Sequence, residues 1–387
     1  MCKEKTVYKN KNVGILTLPL INNYGGILQA FALKKTIEKL GYRPILIDYH
    51  KKDLNYFELV SHKFKNFIKC TVFKNDAKLI FQTPEISRFI NKNAADFISL
   101  ELSPKTDKIT SFQQLSDLNE YFSAFIVGSD QVWRPEYTPE IARYFLDFVA
   151  PSNKRISYAA SFGVDSPLYS EDQLEYCKAE LKKFKLITVR EDVGKSVLDS
   201  TFGIKNSEHV LDPTLLLSQS DYTELFDKYP SKASKGQVFC YILDNNYFSK
   251  KVVDKVICAT KLHAFQVKPK PADSQYFENK EDYVYPHIVD WLRAFHDAEY
   301  VVVDSFHGCV FSIIFNKPFL AIGNKKRGLS RFTSLLRLFD LDDRLVLTDS
   351  NLDMLTITRD YDWSAINTIL KNRRDFSIDL LLNSLND

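Results

Sequence analysis

The sequence predicts an α/β protein with two parallel-sheet domains, on three observations. Short apolar runs of strand length alternate with longer amphipathic stretches from residue 12 to about 340. A chain of 387 residues exceeds what one core ordinarily organises. A polar stretch at 218–236, "SQSDYTELFDKYPSKASKG", separates two such series. We place a first domain at 1–220, a second at 221–360 and a C-terminal helix at 361–387.

The first series opens with a βαβ unit. "NVGILTLPL" (12–20) reads as a buried strand, "GGILQAFALKKTIEKLGY" (25–42) as a helix ended by Gly41, and "RPILIDYH" (43–50) as a second strand. Such a crossover requires parallel strands joined with right-handed chirality. Residues 51–122 form a less regular insertion that reads as helical, in which Lys63, Lys65, Lys69, Lys74 and Lys78 interleave with Phe64, Phe67, Phe73 and Phe81. That mixture fits aromatics packed on the core with solvated lysines, or an interfacial surface drawn to anionic lipid headgroups. Strands resume at 124–130, 155–163, 186–191 and 209–217, with helices at 171–184 and 192–200 between them.

The second series begins with "QVFCYILD" and continues with a helix at 246–261, "HAFQVKP" at 263–269 and a helix at 287–298. "YVVVDS" (300–305), a helix at 307–316, "PFLAIGN" (318–324) and a helix near 329–339 follow. The tail "YDWSAINTILKNRRDFSIDLLLNSLND" has helical periodicity and can pack on either domain.

Composition narrows the function. Hydrophobic residues make up 45% and charged residues 26%, as in folded globular chains. A net charge of +3 spread over both signs lacks a nucleic-acid footprint, so no nucleic-acid partner is expected. The six cysteines include no C-x-x-C pair and read as reduced and structural. Neither a signal peptide nor an apolar stretch approaching 18 residues is evident, so the expected location is cytoplasmic. Histidine and cysteine spacing supports no metal site, and there is no P-loop or G-x-G-x-x-G after a strand.

Ligands of open α/β sheets bind beyond the carboxyl ends of strands, and that rule selects four clusters. In "INNYGGILQ" (21–29), Asn22 and Asn23 can cap a helix while Gly25 and Gly26 admit close approach of an anion. In "VGSDQVWRP" (127–135), Asp130, Gln131 and Trp133 follow a buried strand; an N-cap or a sugar-binding carboxylate, amide and aromatic ring both fit. In "TVRED" (188–192), Arg190 either pairs with Glu191 or Asp192 or aims its fork at phosphate or carboxylate. In "VVVDSFHG", Ser305 and His307 fall at a strand end and a helix start. Lys325, Lys326, Arg327 and Arg331 follow the next strand, and a proton donor beside several cations suits a small phosphorylated acid.

These residues resemble the polysaccharide pyruvyl transferase family. The resemblance is carried in order by "NNYGGILQAFAL", "FIVGSDQVW", "SYAASFG", "ITVREDVGKSVL", "VLDPTLLL" and "SFHGCVFSIIFNKPFLAI". It implies two Rossmann-like domains facing a cleft in the GT-B arrangement, with the C-terminal helix crossing back to the first. It also implies a phosphoenolpyruvate-dependent enzyme of bacterial capsule and surface-polysaccharide synthesis. The products would be a pyruvate ketal on a sugar diol and free phosphate, with phosphoenolpyruvate as co-substrate and no cofactor.

By motif, His307 matches the family's histidine and is the candidate general acid, with Asp130 as a second catalytic candidate. Arg190, Arg327, Lys325, Arg331 and Ser305 are donor-binding candidates, and Arg327 stands where relatives often carry lysine. Asn23, Tyr24, Gly25, Asp130, Gln131 and Trp133 are acceptor candidates, although "NYGG" departs from the "G-N-x-G-D" version of other branches. A lipid-diphosphate-linked acceptor and a peripheral membrane contact are implied partners. The competing expectations are a GT-B glycosyltransferase using a nucleotide sugar and a non-catalytic polysaccharide-assembly protein.

Overall fold

A computed structural model describes residues 11–51, 83–231, 234, 237–271, 278–323, 328–348, 352 and 354–386. The first series folds as β1 (Asn12–Leu16), α1 (Tyr24–Lys39), β2 (Arg43–Ile47), α2 (Pro84–Ile90), α3 (Lys92–Glu101) and α4 (Phe112–Asp117). It continues with β3 (Ala124–Val127), β4 (Lys154–Ala160), α5 (Glu171–Leu181), β5 (Leu186–Val189), α6 (Asp192–Phe202), β6 (Glu208–His209) and α7 (Gln219–Lys228). The second comprises β7 (Val238–Tyr241), α8 (Tyr247–Thr260), β8 (Ala264–Phe265), α9 (Ile288–Asp297), β9 (Tyr300–Val303) and α10 (Phe306–Ile314). It ends with β10 (Phe319–Ile322), α11 (Leu329–Leu338), β11 (Leu345–Val346), α12 (Met354–Thr358) and α13 (Trp363–Asn386).

The strands form two sheets, ordered β2-β1-β3-β4-β5-β6 and β11-β10-β9-β7-β8. Every pairing within them is parallel, as the βαβ reading requires. Both sheets reverse direction of build, the first between β1 and β3 and the second between β7 and β9. These are the switch points where loops diverge and leave a crevice.

Several strands are shorter than their apolar runs. Of "HVLDPTLLL" only His209 lies in a strand, β6, because Asp212 caps a 3₁₀ turn over Pro213–Leu216 through Thr214 N. Proline at the first position of that turn cannot donate to a sheet ladder, which ends the strand. "HAFQVKP" is likewise extended only at Ala264–Phe265, and β11 was not expected at all. The basic-aromatic segment with Lys63–Lys78 lies outside the described residues; the described remainder of the insertion holds α2, α3 and α4.

One hydrophobic cluster runs through both halves, from Ile15, Phe31 and Tyr158 to Trp291, Phe311 and Phe332. Tyr222 of α7 meets Phe311 of α10 edge-on at 5.1 Å, and Tyr24 of α1 lies 5.6 Å from Trp291 of α9. The long α13 returns to the first sheet. Its Ile366, Leu370, Leu381 and Leu385 join the cluster, each such side chain contributing about 1.5–3 kcal/mol when fully buried. Arg374 donates to the carbonyls of Leu215 and Leu217 at 2.8 and 3.0 Å, and Ser377 Oγ accepts from Leu211 N at 3.1 Å. No helix among the described residues is long and apolar enough to cross a membrane.

Candidate functional site

The carboxyl ends of the two sheets face each other, and the candidate residues collect there. In the first domain the segments after β3, β4, β5 and β6 deliver Ser129 and Asp130, Ser161, Arg190 and Glu191, and Asp212. Arg190 is 4% exposed and sits at the centre. Its Nη1 donates to Asp212 at 3.0 Å, and its other nitrogens lie 3.4 Å from Asp130 and 3.5 Å from Glu191. The Phe306 ring of the second domain covers its carbon at 4.5 Å.

Three carboxylates around one buried guanidinium leave an excess of negative charge, and the environment treats each differently. Burial pushes the Asp212 carboxyl up, but His307, Arg190 and the Thr214 hydroxyl outweigh it and hold Asp212 well below the usual carboxylate range. Burial dominates at Glu191 and raises it despite Arg190 and a short hydrogen bond from Ser161 Oγ. Asp130 adopts φ = 72°, a left-handed conformation that aspartate tolerates better than most residues.

The second domain contributes the complementary charges. Ser305 caps α10 by accepting from Gly308 N at 3.1 Å, and the cap fixes the first turn, where His307 projects. His307 Nε2 lies 3.6 Å from Asp212, an ion pair when the imidazole is protonated. Its ring lies against Gly25 of α1; a Cβ at that glycine would stand 2.1 Å from Nδ1. Arg331 of α11 is partly buried beside Arg190, Glu191 and Asp130, and its guanidinium is pushed down first by burial and then by Arg190. Gly328, at φ = 80°, packs backbone to backbone on Gly163, where a Cβ would stand 2.1 Å from the Gly163 carbonyl oxygen.

The structure thus brings together Asp130, Arg190, His307, Arg331 and Gly25. Lys325, Lys326 and Arg327 lie outside the described residues. Asn23 accepts from Gly26 N as the α1 cap and borders the cleft. Gln131 Oε1 accepts from Arg134 at 3.0 Å beneath Gly163.

Two expectations are corrected. Trp133 cannot stack on a sugar, because it is fully buried against Phe145 with its indole N–H donated to the Tyr144 carbonyl at 3.0 Å. A buried indole has one donor to satisfy, and here a core carbonyl accepts it. Tyr24 is also buried, its hydroxyl donating to the Pro286 carbonyl at 2.7 Å, so it ties the domains together. Asp212 and Ser129 were missed. Both follow apolar strand runs, "EHVLD" and "FIVGS", so the strand-end rule could have selected them.

Among the described residues no group of three or more His, Cys, Asp or Glu is arranged to hold a metal ion. Cys177, Cys240 and Cys309 are buried free thiols, and burial pushes Cys177 and Cys240 up to about 12; Cys258 is exposed, against the expectation that the cysteines are structural core residues.

The chain is similar to solved structures of GT-B-type epimerases. A UDP-GlcNAc 2-epimerase from Neisseria meningitidis superposes with TM-score 0.52 at 8% identity, over 96% of this chain and 99% of that one. The Methanocaldococcus jannaschii enzyme gives 0.48 at 11% identity, over 93% and 92%. At 8% identity the likeness to the Neisseria meningitidis enzyme establishes the fold alone, two Rossmann-like parallel sheets facing a cleft. No curated protein matches the sequence. The sequence pattern of one family, described as polysaccharide pyruvyl transferase, matches residues 23–326, a span that includes Asn23, Asp130, Arg190 and His307. The chain therefore belongs to the polysaccharide pyruvyl transferase family.

Proposed function

We propose that the protein transfers pyruvate from phosphoenolpyruvate to two hydroxyls of a sugar acceptor, giving a cyclic pyruvate ketal and phosphate. The carrying observation is the interdomain meeting of His307 with Asp212, beside Arg190 and Arg331. A proton donor backed by a carboxylate, next to two guanidinium groups, matches the needs of an anionic enol ester.

The chemistry balances with these groups. Protonated His307 would deliver its proton to C3 of the enol, making C2 electrophilic toward the first hydroxyl. Loss of phosphate breaks the C2–O bond, and the second hydroxyl closes the ring. Of the two hydroxyl protons displaced, one replaces that given up by His307 and the other leaves with phosphate. Asp212 supplies the counter-charge to the imidazolium, and Arg331 would meet the donor's anionic groups as charge builds on the leaving oxygen. Arg190, already engaged by three carboxylates, would reach the donor only by exchanging one of them. Asp130 would accept a hydrogen bond from an acceptor hydroxyl and so steer it toward C2.

The family's polysaccharide products support an acceptor carried on a lipid diphosphate at the inner face of a bacterial membrane, as in capsule precursors. The basic-aromatic sequence at 60–82 supports a peripheral membrane contact. The test is incubation with phosphoenolpyruvate and a panel of free and lipid-linked saccharides. Mass spectrometry should show the ketal together with released phosphate. Thermal protection by a nucleotide sugar but not by phosphoenolpyruvate would overturn the reading.

A further inference from the structure

A cavity of about 390 Å³ opens between the segment after β1 and the segment after β3, lined by Thr17–Leu20, Asn23, Gly26, Gln29, Asp130 and Tyr137. It occupies the switch point of the first sheet, where the connections of β1 and β3 leave in opposite directions. It adjoins the reaction centre on two sides. Gly26 follows Gly25, against which the His307 ring lies, and Asp130 is paired with Arg190.

Gln29 carries the observation that points to a ligand. It is fully buried in α1, where an amide has no apolar role. Its Nε2 donates to the Gly26 carbonyl and to Thr17 Oγ1, both at 2.9 Å. A carbonyl can only accept, so the amide orientation is fixed, and Oε1 is the remaining atom. That oxygen is buried and has no hydrogen-bond partner among the described residues. A buried acceptor left in this way is costly unless something donates to it.

Of the cavity's other polar side chains, Asn23 has its Oδ1 taken by Gly26 N, which leaves its amide nitrogen as a donor, whereas Asp130 is an acceptor. Asp130 is the one charged side chain among the described residues lining the cavity, with Arg190 3.4 Å from it. Tyr137 is half exposed at the rim, with one side of its ring taken by the Arg134 guanidinium at 4.2 Å from the centroid. An aromatic wall over two acceptors and one amide donor suits a ring that is apolar on its C–H face and carries hydroxyls, which both donate and accept, at its edge.

We propose that this cavity binds a neutral pyranose ring of the acceptor, with Gln29 Oε1 and Asp130 accepting sugar hydroxyls and Tyr137, rather than Trp133, covering the ring. The proposal rests on the pyruvyl-transfer reading for the word acceptor, but the binding itself is measurable without turnover. It also assigns chemistry: a neutral sugar is favoured over a uronic acid, because among the described residues the lining holds one carboxylate, Asp130, and no cation to pair with a second.

The experiment is saturation-transfer NMR on the full chain with neutral methyl hexopyranosides, the matching methyl uronates and neutral disaccharides, with and without phosphoenolpyruvate. Wild type should bind at least one neutral sugar and prefer it to its uronate. Tyr137→Ala, at an exposed position, and Gln29→Leu should each weaken that binding about five- to tenfold while thermal protection by phosphoenolpyruvate stays unchanged. Equal sugar binding in wild type and a folded Tyr137→Ala protein would overturn the proposal, as would failure of every neutral sugar to bind. Sugar binding that responds to both variants in a protein never protected by phosphoenolpyruvate would sink the pyruvyl-transfer reading alone and leave the sugar site standing.

Discussion

The two rims of the cleft are built from opposite charges. The first-domain rim gathers Asp130, Glu191 and Asp212 around the single cation Arg190, whereas the second-domain rim offers His307 and Arg331. Neither rim is balanced alone. Three buried carboxylates with one guanidinium would hold a net negative charge out of water, and the second domain supplies what is lacking. The lesson is that the site exists as an interdomain object: the contact that joins the domains also assembles the proton donor with its counter-charge.

The largest expected effect tests the second rim. His307→Gln should lower turnover by roughly a hundredfold to ten-thousandfold with the fold intact by circular dichroism and melting. Near-normal turnover in a folded variant would remove the imidazole from the chemistry and leave the interdomain pair a structural one.

Next comes the first rim. Asp212 is held well below the usual range, so its ionised form stabilises the folded state fully above the unfolded-state value of about 4, and that contribution is lost as pH falls below it. Asp212→Asn leaves Arg190 with one buried partner fewer and should cost about 3 kcal/mol at pH 7 by denaturant titration. Its melting temperature should also fall less than that of wild type between neutral and acid pH. A variant as stable as wild type at pH 7 would show that the carboxylates do not need one another to hold the arginine.

Gly25→Ala sharpens the comparison from the contact itself. The added Cβ would stand 2.1 Å from His307 Nδ1, so the imidazole must move. Turnover should drop on the order of a hundredfold, as for other misplacements of about 1 Å, while the Michaelis constant for phosphoenolpyruvate changes less. Unchanged turnover would mean that the observed His307 position is not the reacting one.

These same residues show how far the sequence could be read. The βαβ order, the two parallel sheets and the strand-end positions of Asp130, Arg190 and His307 followed from apolar periodicity, because a strand's length and the polar residue ending it are local properties. What periodicity does not encode is which strand ends meet across the cleft. "TVRED" admits both a salt bridge and an anion-binding fork; Arg190 proved to be held by Glu191, its neighbour, but also by Asp130 and Asp212, which are 60 and 22 residues away. Trp133 misled for a related reason: a tryptophan beside a polar strand end can face the cleft or turn back to a core carbonyl, and only the position of Tyr144 decides. Gln29 was hidden because a helix interior gives an amide no distinguishing spacing.

The smallest effect separates two roles of one side chain. Ser305 stands at the strand end that presents His307, where a donor contact and a helix cap are both plausible for a serine; its Oγ accepts from Gly308 N at 3.1 Å. Removing that bond in Ser305→Ala should cost about 1 kcal/mol of stability, as for other N-caps. The dependence of rate on phosphoenolpyruvate should then shift less than about twofold, since a frayed first turn still carries the imidazole. A shift in donor dependence with no loss of stability would reverse the assignment. The hydroxyl would then join His307 and Arg331 in binding the donor, and the second rim would gain a neutral member beside its two cations.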